Sequence, residues 1–130
     1  MLAELKQAEM TKLIHSIYPD MEIQYSISRR AKHVLGSCYW WKKLLRFHRP
    51  LWKYDLFSCL YCALHEVAHC MQQEISGYTQ HDPQFREILD MLIEDYGNED
   101  IRKAKKNTAL SWSDYSLDPE FDYEQLKGKK

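Results

Sequence analysis

Apolar residues recur along the opening stretch at Leu2, Leu5, Leu13, Ile14 and Ile17, spacings that lay them on one helical face, and Tyr18-Pro19-Asp20 ends the run. From Met21 the period changes. Ile23, Tyr25 and Ile27 alternate with polar neighbours, which predicts a half-buried strand. Two more apolar runs, HVLGSCYW from His33 and KLLRFH from Lys43, predict further strands, the first broken by Gly36 and the second ended by Arg49-Pro50. With connections this short, the strands are expected to form an antiparallel meander.

The pattern then returns to helical spacing. Asp55 suits an N-cap and Gly77 the position just past a helix end, which brackets about five turns of helix. A second unit follows directly, with Asp82 as cap, Pro83 at the first helical position and Gly97 as stop, so His81 falls in a short loop between two helices. Beyond Gly97 lie a short charged segment and a polar tail with scattered aromatics. The expected organisation is one α+β domain over residues 1–106 and a C-terminal tail, 107–130, packed against it or partly mobile.

A length of 130 residues suits a single domain with a real core, and 45% hydrophobic with 28% charged residues places the chain among globular rather than disordered proteins. No apolar run approaches the roughly 20 residues of a membrane-spanning helix, and the N-terminal MLAELKQAEM carries charges where a leader would be hydrophobic. Cys38, Cys59, Cys62 and Cys70 stand in apolar or helical contexts, three of them in one predicted helix, so free thiols and an intracellular location, cytoplasmic or nuclear, are expected. The net charge of −1 conceals an asymmetry: Ile23 to Tyr54 holds eight basic residues and no acidic one. Within it, the stretch Arg29–Lys53 carries Tyr39, Trp40, Trp41 and Trp52 among its cations, a composition suited to DNA phosphates and unpaired bases, or to a solvated basic face with its aromatics turned inward.

The candidate chemistry lies in the central helix. At 100° per residue from His65, His69 falls at about 40°, Cys62 at about 60° and Glu66 at about 100°, whereas Leu60, Leu64, Val67, Met71 and Ile75 fall between about 200° and 280°. One face is expected to pack the core while another presents both histidines and the glutamate. Histidines at i and i+4 can aim ring nitrogens at one cation, and Glu66, pointing aside, is placed to handle water on a metal rather than to ligate it. A third ligand is needed. His81 can supply it, since the helix extends about 9 Å past His69 and the loop returns up to roughly 20 Å. Three ligands leave the open position that catalytic zinc sites keep, unless the Cys62 thiolate closes it. His15, His33 and His48 lack metal spacing, and Tyr78, in the loop before His81, could stabilise an oxyanion.

HEVAHCMQQEISGYTQHDPQF, with AKHVLGSCYW and KLLRFH upstream, resembles the SprT-like zinc metalloprotease family: HExxH, a third histidine about a dozen residues later, a following aromatic, and Leu35-Gly36 in the sheet before it. The likeness spans roughly Met21 to Asp95, and the WLM and YgjP-type families share the layout. It implies a zincin-like α+β fold, a Zn2+ cofactor held by His65, His69 and His81, Glu66 as general base, and a protein or peptide substrate, with DNA-bound proteins one expected class. KLLRFH is the candidate edge strand for pairing with an extended substrate. Two departures stand out: Asp82-Pro83 follows His81 where the family often has glycine, and no CxxC zinc ribbon follows the domain. The alternative is a non-catalytic zinc-binding module for nucleic acid or a protein partner, with Cys62 as fourth ligand.

Overall fold

The computed structural model describes residues 2–25, 36–48, 51–52 and 54–104. Helix α1, Leu2–Ile17, buries Met10 and Ile14 and packs Leu13 and Ile17 against the core, the i, i+4, i+7 stripe of an amphipathic helix. Leu5 lies outside this stripe and is exposed. Lys6 Nζ donates to the carbonyls of Trp52 (3.1 Å) and Tyr54 (2.6 Å), tethering α1 to the segment that leads into the central helix.

Three short strands follow: β1, Glu22–Tyr25; β2, Gly36–Tyr39; and β3, Leu44–Phe47. β2 and β3 form the expected antiparallel hairpin, turned by a 3-10 segment, Trp40–Lys42, and by Lys43 in the left-handed region at φ 52°. The sheet is mixed rather than antiparallel throughout, because β1 pairs with β3 in parallel and the order is β1-β3-β2. β1 and β2 therefore do not pair as a hairpin, since β3 lies between them. Residues 26–35, which connect β1 to β2 and include Ile27 and Leu35, lie outside the described residues.

β3 is therefore the central strand, with Leu44, Leu45 and Phe47 all buried. It cannot be the free edge expected of KLLRFH. Among the described residues the edges are β1 and β2, of which β2 packs against α2.

Helix α2, Leu56–Ser76, and helix α3, Pro83–Tyr96, run between the expected caps. Asp55 accepts from Ser58 N–H (2.8 Å), and Gly77 adopts φ 76° while its N–H donates to Gln73 O (2.8 Å). Asp82 accepts from Phe85 N–H (2.9 Å) with Pro83 in the first turn. The amphipathic reading of α2 is too simple. Packed by α1, α3 and β2, it is buried on every side from Tyr61 to Ala68, while Ile75, expected in the core, is 62% exposed. A helical segment at 99–104 adds Ile101 and Ala104 to the core. Among the described residues no helix is long and apolar enough to cross a membrane, and the tail from residue 105 onward lies outside them.

The cysteines divide differently from expectation. Cys38 of β2 and Cys70 of α2 form a disulfide across a Cα–Cα distance of 6.3 Å, while Cys59 and Cys62 are free and buried. Bridging within one helix was the geometry that sequence disfavoured; the partner comes instead from the strand packed on that helix. For this pair the inference of free thiols, and of a reducing compartment from them, no longer holds.

Candidate metal centre

His65 and His69 project from successive turns of α2, and His81 reaches them from the residue before the α3 cap. Their Nε2 atoms form a near-equilateral triangle: 3.1 Å between His65 and His69, 3.3 Å between His65 and His81, and 3.1 Å between His69 and His81. Zinc–nitrogen bonds of 2.0–2.1 Å in a tetrahedron require ligand atoms about 3.3 Å apart. The triangle fits that requirement, and a group of three imidazoles is a donor set zinc accepts. Burial, then His81 beside it, push His69 down to about 3, so the ring is neutral across the physiological range.

Phe85, one turn into α3 and fully buried, touches all three rings, with centroid distances of 5.0 Å to His65, 4.4 Å to His69 and 5.0 Å to His81. It is the aromatic wall against which the histidines converge. Glu66 is only 4% exposed, and burial pushes its carboxyl up to about 8. Its side chain lies over Gly36 of β2, so close that a Cβ at position 36 would stand 2.9 Å from Glu66 Cγ and 3.1 Å from Oε2.

Cys62 lies apart from this group. It is fully buried in the apolar core, the histidine cluster does not include it, and burial, then Glu66, push its thiol well above the ordinary range. A protonated, core-packed thiol is a poor metal ligand. His15 Nε2 meets Met21 O (2.8 Å) and His48 Nε2 meets Ser37 Oγ (3.3 Å), both away from the cluster; His33 is outside the described residues. Tyr78 donates its hydroxyl to Asp82 Oδ2 (3.2 Å), engaged with the α3 cap rather than turned to the histidines.

Two residues of the site carried no signal in the motif. Thr79 Oγ1 lies 2.6 Å from His69 Nδ1, and Gln72, fully buried, bonds both Thr79 and the Asp82 cap. Gln72 could have been suspected, since a helix wheel puts it at about 340°, beside the histidine face. Nothing in the sequence marks Thr79. The departure at Asp82-Pro83 also acquires a role, because the Asp82 carboxylate joins the α3 N-cap to Gln72 one residue from His81.

The fold and the site together define a zincin-like α+β domain built around a three-histidine cluster. The SprT-like family profile matches residues 3–106, and the chain belongs to that family. Comparison with curated proteins returns no match. Among solved structures, the chain is similar to the metallopeptidase zymogen abylysin of Pyrococcus abyssi, with a TM-score of 0.53, 10% identity, and coverage of 87% of this chain and 96% of that one. At that identity the likeness concerns the fold.

Proposed function

We propose that the protein is a zinc-dependent metallopeptidase in which His65, His69 and His81 hold the ion and Glu66 is the general base. The observation that carries this reading is the triangle of Nε2 atoms at 3.1–3.3 Å with Glu66 on the same helix turn. Family membership supports it, as does the fold shared with a metallopeptidase zymogen. When bound, zinc supplies Lewis-acid chemistry, polarising a carbonyl and bringing the pKa of water to about 7. Glu66 would accept the proton of the attacking water and pass it to the leaving amine, the general-base role of a carboxylate placed beside the ion. Gly36 leaves room for that carboxylate, and Phe85 keeps the imidazoles from tilting away. An extended substrate pairs with β2, the edge strand beside α2.

The non-catalytic module has no comparable support, since it needs Cys62 in the ligand set. Glu66→Gln separates the two readings: the variant is expected to keep its zinc and lose peptide hydrolysis. Equal activity of the two proteins refutes the catalytic role.

Contact with DNA rests on the β2–β3 hairpin tip. Trp41 is 75% exposed beside exposed Lys42 and Lys43, an arrangement suited to stacking on an unpaired base next to a phosphate. Trp41→Ala is expected to weaken binding of a single-stranded oligonucleotide by roughly tenfold or more; unchanged affinity removes the hairpin from the DNA interface.

A further inference from the structure

We propose that Thr79 and Gln72 are positioning residues that set the tautomer of His69 and thereby the affinity of the three-histidine site for its metal. The inference rests on the metal-binding part of the reading above and not on peptide hydrolysis.

The polarity of the network follows from its fixed ends. Gln80 N–H is a backbone donor, and it lies 3.0 Å from the Gln72 side-chain oxygen, which must therefore be Oε1. The other end of the amide agrees: Nε2 donates to Asp82 Oδ1 (2.8 Å), an acceptor already receiving Phe85 N–H, and to Gln84 Oε1 (3.0 Å). Turning the amide over would set oxygen against a carboxylate and NH2 against a backbone N–H. Thr79 Oγ1 is 3.1 Å from the same Gln72 Oε1, which cannot donate, so the single hydroxyl proton of Thr79 lies between them. Only lone pairs of Oγ1 then remain for His69 Nδ1, at 2.6 Å, and the proton of that bond belongs to the ring.

His69 is thus held as the Nδ1–H tautomer. Its Nε2, 3.1 Å from the Nε2 atoms of His65 and His81, carries the lone pair that a metal needs. Gln72 is suited to transmit this polarity, because it is completely buried and all four of its hydrogen-bonding positions are filled. It also ties the loop before His81 to the α3 cap, so one amide orients two of the three histidines.

The test uses the full chain. Histidine 15N chemical shifts, read after treatment with a chelator, are expected to show Nδ1–H at His69 in the wild type and a mixture of tautomers in Thr79→Val. Zinc affinity, measured by competition with a chromophoric chelator, is expected to fall about 10–100-fold in Thr79→Val, while Thr79→Ser, which restores the hydroxyl, stays within about threefold of wild type. Gln72→Met should reproduce the Thr79→Val tautomer mixture. An unchanged tautomer and affinity in Thr79→Val overturn the proposal, as does Thr79→Ser binding zinc as weakly as Thr79→Val, which would make the role steric. A wild-type chain that takes up no zinc overturns the metal reading and the affinity claim with it; the tautomer, measured without metal, still decides the relay.

Discussion

Gly36 of β2 and Glu66 of α2 are packed so closely that no side chain fits between them: a Cβ at position 36 would come within 2.9 Å of Glu66 Cγ. A glycine in a strand here answers to a close approach rather than to a turn. Gly36→Ala forces the carboxylate to move by a fraction of an ångström or more, and catalytic groups displaced on that scale lose roughly 10–100-fold in rate. The expected outcome is a fall in kcat of that order with zinc content unchanged. Full activity in Gly36→Ala would contradict the placement of Glu66.

Burial of Glu66 also makes the metal-free protein pH-sensitive. The unfolded carboxyl titrates near its ordinary 4.5 and the folded one near 8, so between these values the folded state holds a proton that the unfolded chain has released. Stability contributed this way is lost as pH rises through that window. His69 acts in the opposite sense below 6.5, where the unfolded ring takes up a proton that the folded ring refuses. From pH 6.5 to 8 Glu66 therefore dominates the pair. Melting of the chelated protein is expected to fall across that interval in the wild type and to stay flat in Glu66→Gln; parallel profiles would contradict the raised carboxyl.

Phe85 serves both the core and the site. Its fully buried ring contacts three histidines, and Phe85→Ala opens a cavity expected to cost about 3–5 kcal/mol by denaturant unfolding. Because the imidazoles lose their common wall, zinc affinity should fall as well. Affinity equal to wild type, measured where the variant is still folded, would reduce Phe85 to a core residue alone.

The Cys38–Cys70 bridge joins the strand that carries Gly36 to the helix residue next to His69. Closing a sequence separation of 32 residues limits the unfolded chain by about 3–4 kcal/mol on loop entropy. Reduction, or Cys38→Ser, is expected to lower the melting temperature of the metal-free protein. A melting temperature indifferent to reductant would contradict the bridge.

Much of the site was legible because its parts are local. Asp55, Gly77 and Asp82-Pro83 act within a turn or two of themselves, so the two helices and the loop bearing His81 could be read from caps alone. The spacing of His65, His69 and His81 needed only helix phase and chain reach to suggest convergence. What escaped was non-local. The parallel pairing of β1 with β3 depends on where the chain re-enters the sheet, which a period-two pattern does not encode. The partner of Cys70 lies in a different element, and the all-round burial of α2 follows from the neighbours that enclose it. Gln72 stood outside the motif, and its partners, Thr79, Gln80, Asp82 and Gln84, come together only when α3 folds back.

Zinc K-edge X-ray absorption on the zinc-loaded protein tests the central claim most directly. An open three-histidine site predicts imidazole scattering from three nitrogen neighbours at about 2.0–2.1 Å, one further light-atom neighbour, and no sulfur shell. A sulfur neighbour near 2.3 Å would bring Cys62 into the coordination sphere and close the site to chemistry, and a chain that takes up no zinc would remove the metal centre altogether.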